Sequence, residues 1–296
     1  MGGQGRRGWR AWWPLVLLLA LGASRWLIAA QWPETESTVA SEAAGCGLAA
    51  LLIFGGSMFW RGSGGVTGSR WDTLRWAAAG ALVLVGPLVG MVAGGEVGGT
   101  DLMVALALIP VVAAVATVAS SGGSKDLAGR LWPGLAALAG LLLMVPQPSL
   151  SNARADLVLG LSAVLPGVGA AWMCRDGGGR AAARLVAGLS GAGLLLGLGM
   201  ATQAGLRIGF SEWAALLDGL TAVLGLLALV QLGAMRWAAQ FAVVPLAISL
   251  EGLVVLRPRL DWRVVAGVGL LLAASVYLLA PPAEDEGEVG SQLGLR

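Results

Sequence analysis

Three charged residues stand inside stretches that are otherwise apolar: Arg25 within 11–30, Asp218 within 213–234 and Glu251 within 237–256. A charge at the centre of a bilayer costs about 2.5–3.5 kcal/mol on the insertion scale, and such residues usually face a bundle interior or water. At about 1.5 Å per residue, Arg25 lies roughly 22 Å along its stretch, Asp218 roughly 9 Å into its own and Glu251 roughly 20 Å along the third. If the three stretches cross a membrane in alternating directions, all three charges fall in its outer third. One guanidinium and two carboxylates at one depth are the components of an ion pair. A carboxylate with a raised pKa can couple export to proton entry. Arg25 is therefore expected to pair with Asp218 or Glu251, in a cluster that forms part of a substrate or proton site, with Trp26 and Trp172 as further lining. A structural reading competes with this one: Arg25 snorkels to the headgroups and Glu251 sits at an interface.

Other chemistry is excluded by residue type. Histidine is absent from the chain, which removes imidazole proton relays, histidine zinc ligands and Ser-His or Cys-His nucleophiles. The two cysteines, Cys46 and Cys174, stand near opposite ends of different expected helices, which argues against a disulfide. Gly122-Gly-Ser-Lys125 lacks the Gly-x4-Gly-Lys-Ser/Thr spacing of a phosphate loop. The acids of the links, such as Asp72, Asp126 and Asp176, are isolated rather than clustered. No catalytic residue, metal site or cofactor is expected, and the basic links carry no sign of a nucleic-acid surface.

The elements that must position the charges follow from composition. Of 296 residues, 57% are hydrophobic and 12% charged, against about 25% charged in a soluble domain. A mean hydropathy of +0.79 over the whole length leaves no room for a large water-soluble domain. About 20 apolar residues span the hydrocarbon core. Seven charge-free windows of that kind occur, at 43–60, 76–95, 102–124, 131–153, 157–174, 185–206 and 264–283. The three charged stretches complete ten expected spans, with the fifth ending near residue 148. Links as short as Arg61-Gly-Ser-Gly-Gly make neighbouring helices antiparallel. The first stretch, with Arg6, Arg7 and Arg10 ahead of Trp12–Gly22 and Ala23-Ser24, also has the layout of a secretory leader.

Charge asymmetry orients the spans. With the N-terminus in the cytoplasm, the outer side holds Arg25, Arg154, Arg207, Arg257, Arg259 and Arg263, and the other thirteen of the 19 basic residues face inward. Both termini are thus expected inside, with residues 284–296 an acidic cytoplasmic tail. Lys125 is the one lysine, a bias read as bacterial codon usage, so the expected location is a bacterial inner membrane. Tryptophans near span ends, among them Trp32, Trp71, Trp76, Trp132, Trp213 and Trp262, are expected as an interfacial belt.

The two halves can be laid on one another. Ala107-Leu-Ile-Pro110 in the fourth span parallels Ala242-Val-Val-Pro245 in the ninth, 135 residues on, and Gly134 parallels Gly267, 133 residues on. Two landmarks at nearly one spacing suggest five helices repeated twice, residues 1–150 and 151–283. Five is odd, so the copies enter the membrane from opposite sides. Chance is the alternative, since Gly and Pro are common in membrane helices. Pro110 and Pro245 are expected to kink their spans. Gly86-x3-Gly90-x3-Gly94 and Gly193-x3-Gly197 are expected to seat neighbouring helices.

The stretch Arg236-Trp-Ala-Ala-Gln-Phe-Ala-Val-Val-Pro245-Leu-Ala-Ile, followed by Gly267-Val-Gly-Leu-Leu-Leu-Ala, resembles the end of an EamA-type member of the drug/metabolite transporter superfamily. The link Arg70-Trp-Asp-Thr-Leu-Arg75-Trp and the place of Pro110 are similar to that family as well. The chain departs from it at Leu21-Gly22-Ala23-Ser24, where the family often has Trp-Gly, and in lacking Gly-Glu after the fourth and ninth spans. The resemblance implies a ten-helix export-type carrier with a central cavity lined by helices one, three, four, six, eight and nine. The expectation is a secondary transporter of a small metabolite or drug, working by alternating access as a monomer or homodimer. Its partners would be the substrate, membrane lipid and protons. The alternatives are a flippase for lipid or a lipid carrier, and a non-transporting membrane scaffold.

Overall fold

The computed structural model describes residues 4–33, 38–59, 70–92, 99–121, 127–145, 153–175, 181–202, 211–256 and 261–280. Almost all of them are helical, and none is in a strand. The helices are α1 (Gln4–Gln31), α2 (Val39–Phe59), α3 (Arg70–Val92), α4 (Gly99–Leu106), α5 (Ile109–Ser121), α6 (Leu127–Met144), α7 (Ala153–Arg175), α8 (Ala181–Thr202), α9 (Glu212–Leu232), α10 (Ala234–Ala238), α11 (Gln240–Leu256) and α12 (Trp262–Leu279). Among the described residues, eight segments are long and apolar enough to cross a membrane, one of them formed by α4 and α5 together. Many helices start a few residues before the apolar windows. The helical backbone continues through the charged interfacial turn, as at Arg70–Arg75, whereas the hydrophobic window stops at it.

The distribution of side chains is that of a chain in lipid. The buried positions are dominated by alanine, including Ala79, Ala107, Ala137, Ala170, Ala192 and Ala228, while Leu51, Leu52, Leu157, Leu194, Leu198 and Leu272 are exposed. A water-soluble core has the reverse pattern. Between helices in lipid there is little hydrophobic gain, and association relies on close van der Waals contact through small residues. Long side chains are free to face the acyl chains. These observations define a multi-pass helical membrane protein.

Among the described residues three clusters make the interior, the least of them at Val39, Ala43, Leu88 and Leu196. The largest gathers side chains from α1, α2, α3, α5, α7, α8, α9 and α10, including Leu15, Leu18, Met173, Leu189, Leu226 and Trp237. The second joins α6, α11 and α12 around Leu141, Leu246 and Leu271. The most extensive packing is of α3 on α7 and α8, of α2 on α8 and α9, and of α6 on α12.

Three of these pairs touch at facing glycines. A Cβ at Gly45 would stand 2.6 Å from the amide nitrogen of Gly219, and one at Gly219 would stand 2.7 Å from the Gly45 carbonyl oxygen. Gly80 of α3 abuts Gly188 of α8 in the same way, its Cβ falling 2.8 Å from the Gly188 carbonyl carbon. Gly140 of α6 and Gly267 of α12 each meet the other's carbonyl oxygen, at 2.8 and 2.6 Å. The partner of Gly267 is thus Gly140, while Gly134 packs on Pro110 and Val111. Gly86 receives the ring of Pro166 of α7. Gly90 and Gly94 lie outside the residues whose side chains are described, and Gly197 faces open space rather than a neighbouring helix.

The two prolines behave differently. The fourth apolar stretch breaks at Ala107 and Leu108, directly before Pro110. Pro110 has no N–H for the Leu106 carbonyl, and its ring excludes that oxygen. The chain tightens there, with the Leu108 N–H donating to the Ala105 carbonyl at 3.0 Å. Pro245, by contrast, lies inside an unbroken α11. The corresponding break falls six residues earlier at Ala239, whose N–H donates to the Arg236 carbonyl at 3.2 Å. That break, at the turn between α10 and α11, lies ahead of Pro245, and Gly233 at φ +87° makes an earlier one between α9 and α10.

Candidate functional site

The site is built at the end of the bundle where α1 stops and α2 and α9 begin. The facing glycines create it. Gly219 draws α9 onto α2 at Gly45, which carries Asp218, the preceding residue, against the first turn of α2. Ser41 stands there, one turn before Gly45. The Ser41 hydroxyl donates to Asp218 Oδ2 at 2.5 Å. The guanidinium of Arg25, six residues before the end of α1, pairs with Asp218 Oδ1. Asp218 is 0% exposed and Arg25 is 28% exposed.

Ser41 is itself held by the start of its helix. The Thr38 hydroxyl accepts from the Ser41 N–H at 3.1 Å, and the Ser41 hydroxyl oxygen accepts from the Thr38 N–H at 2.9 Å. This reciprocal pair is a capping box with serine as its last member. The hydroxyl hydrogen has two acceptors in range, Asp218 and the Thr38 carbonyl at 2.9 Å. The carboxylate offers the shorter and charge-assisted bond. The N-terminus of α2 adds the positive end of its helix dipole beside the acid. Asp218 thus has a guanidinium, a hydroxyl and a helix terminus around it, the requirements for holding a charge away from water.

Of the residues the sequence singled out, Arg25 and Asp218 are brought together. Glu251 is half-buried on α11, which packs on α1 through Gly22 and Val244. The ion pair to Arg25 is made by Asp218. Trp172 does not line an interior site. It is 39% exposed and continues a stripe of exposed apolar residues on α7, Leu157, Leu161, Val164 and Val168, at the three- and four-residue spacing of one helix face. That face meets lipid. The side chain of Trp26 lies outside the described residues. Thr38 and Ser41 were missed, although Thr38-Val-Ala-Ser41 ahead of an apolar run is a readable helix start.

Two aromatic contacts mark the other end of the bundle. Arg184, 5% exposed on the first turn of α8, stacks 5.6 Å over the ring of Trp76, and Arg236 stacks 5.2 Å over Trp12. Trp76 is therefore buried beneath a guanidinium rather than part of an interfacial belt. Trp32, Trp71, Trp132, Trp213 and Trp262 are exposed, as a belt requires. An open groove of about 520 Å³ runs between α2 and α8, lined by Ala40, Ala43, Ala44, Gly193, Gly197, Met200 and Ala201. It lies on the side of α2 turned away from Asp218. Asp218 borders no open cavity: both carboxylate oxygens are occupied and no part of the residue reaches solvent.

No family model matches the sequence, and no curated protein does. Solved structures do match the fold. One, described only as "Crystal structure of protein", superposes with a TM-score of 0.63 over 90% of this chain and 96% of its own, at 12% identity. At that identity the match speaks for the helical architecture alone.

Proposed function

We propose that this chain is a secondary transporter of the drug/metabolite type, with ten spans in two inverted halves that move a small metabolite or drug outward by alternating access. In this reading α4–α5 and α10–α11 are each one interrupted span, and α1 is the first. The observation that carries the reading is the pattern of helix pairing. Exchanging the first five spans with the second five turns α2 on α9 into α8 on α3, α1 on α9 into α7 on α3, α1 on α11 into α7 on α5, and α5 on α6 into α11 on α12. Each of these pairs packs closely. The pairs α2 on α8 and α6 on α12 map onto themselves. The glycine contacts follow the same exchange: Gly45 with Gly219 becomes Gly188 with Gly80. Odd-numbered inverted repeats put substrate sites between the halves, and the buried Arg25–Asp218 pair joins α1 of one half to α9 of the other.

Purified protein in liposomes tests this. Flux of an amino acid, a sugar or a cationic drug, with accompanying proton movement, is expected. Flux that does not respond to pH points to a uniporter. No flux with any of the three classes sinks the carrier reading. Coupling through the acids predicts that Asp218→Asn or Glu251→Gln changes the pH profile of transport, and wild-type rates for both at every pH would rule it out.

A further inference from the structure

We propose that the Arg25–Asp218–Ser41 cluster is the gate at its end of the bundle, and that this structure is the shut state of that gate. The inference rests on the alternating-access reading and adds to it which contact opens. A gate must cross between the moving halves, and this cluster does: Arg25 and Ser41 come from α1 and α2, Asp218 from α9. It must also exclude water when shut, and Asp218 and Ser41 are both 0% exposed. It must be able to open. A buried ion pair recovers about what its desolvation costs, so it fixes one arrangement without making that arrangement very stable.

The two ends of the bundle differ in this respect. Under the exchange of halves fixed by the glycine contacts, Asp218 corresponds to Ala79 and Ser41 to Arg184. The far end thus carries Ala79 in place of the acid, and Arg184 stacked on Trp76 in place of the hydroxyl. The position equivalent to the acid carries no carboxylate at the far end. The Thr38–Ser41 capping box makes Ser41 a positioning residue: its hydroxyl reaches Asp218 only while the first turn of α2 is wound. Releasing Asp218 and loosening the tip of α2 are then one event.

The chain carries its own reporter. Cys46 lies five residues past Ser41 on α2, roughly 7 Å deeper, and is fully buried. In a Cys174→Ser background it is the sole thiol. Membrane vesicles of both orientations are treated with a membrane-impermeant maleimide. Wild-type Cys46 is expected to label slowly. The double variant Arg25→Gln with Asp218→Asn removes both charges and leaves neither one buried alone. It is expected to label roughly tenfold faster from the α1–α2 end, the factor that about 1.4 kcal/mol of lost closing energy produces. The charge-reversed pair, Arg25→Asp with Asp218→Arg, is expected to restore slow labelling, which a merely structural role for these residues does not predict.

The gate is overturned if the double variant, eluting as wild type does on gel filtration, labels no faster. If the double variant aggregates, Ser41→Ala takes its place under the same criterion. The measurement needs no substrate, so it separates the two claims. Faster labelling without any flux leaves the seal standing and removes the carrier. Flux with unchanged labelling leaves a carrier whose gate is elsewhere.

Discussion

Asp218 shows how a single residue can be affordable in lipid. Its charge is met on one side by Arg25, on the other by Ser41, and from behind by the N-terminus of α2. Such a site is destabilised most by removing one partner. Asp218→Ala leaves Arg25 without its acid and is expected to cost about 3–5 kcal/mol. The double variant Arg25→Gln with Asp218→Asn is expected to cost well under the sum of the two single changes. Thermal unfolding in detergent measures both, and simple additivity would mean that the two residues do not act as a unit. At this scale the sequence revealed that Arg25, Asp218 and Glu251 are anomalous, because a charge in an apolar run is visible locally. It did not reveal that Arg25 takes Asp218 as its partner, nor that Ser41 completes the site. Trp172 was ambiguous for a related reason: an aromatic residue inside a span suits a lining and a lipid face equally well, and only the structure puts it in one exposed stripe with Leu161, Val164 and Val168.

At the scale of elements, the helices are located by hydrophobicity and held together by what they lack. Where two glycines face each other, an added methyl has no space. Gly80→Ala and Gly45→Ala force backbones apart, and each is expected to cost about 1–3 kcal/mol. Gly55 and Gly269 have nothing within 4 Å of a built Cβ. Alanine at either is expected to stay within about 0.5 kcal/mol of wild type. Detergent melting curves of the four variants provide the comparison, and equal losses at all four would refute the close-crossing account. Gly45→Ala should also disturb the site, since the contact at Gly45 sets the reach from Ser41 to Asp218. The prolines teach a complementary point. Pro110 ends a helix because its missing N–H coincides with a tightened turn, whereas Pro245 is absorbed in α11 and the break sits at Ala239. Residue type alone does not say which proline a helix tolerates.

For the whole molecule, the proposed exchange of halves requires an even number of crossings, with both termini on one side. A fluorescent protein that matures only in the cytoplasm, fused in turn to either end, is expected to glow in both fusions. A dark C-terminal fusion would mean an odd number of spans and would undo the inverted repeat. The membrane class, the approximate limits of most helices and the presence of ionic groups among them were all open to reading from the chain, because hydropathy adds up residue by residue and needs no knowledge of neighbours. The packing of Gly267 on Gly140, the burial of Trp76 under Arg184 and the meeting of Asp218 with Arg25 and Ser41 were settled by the tertiary structure alone. Each depends on where two helices distant in sequence cross, and a crossing is set by the joint surface of both helices, which neither one carries in its own pattern.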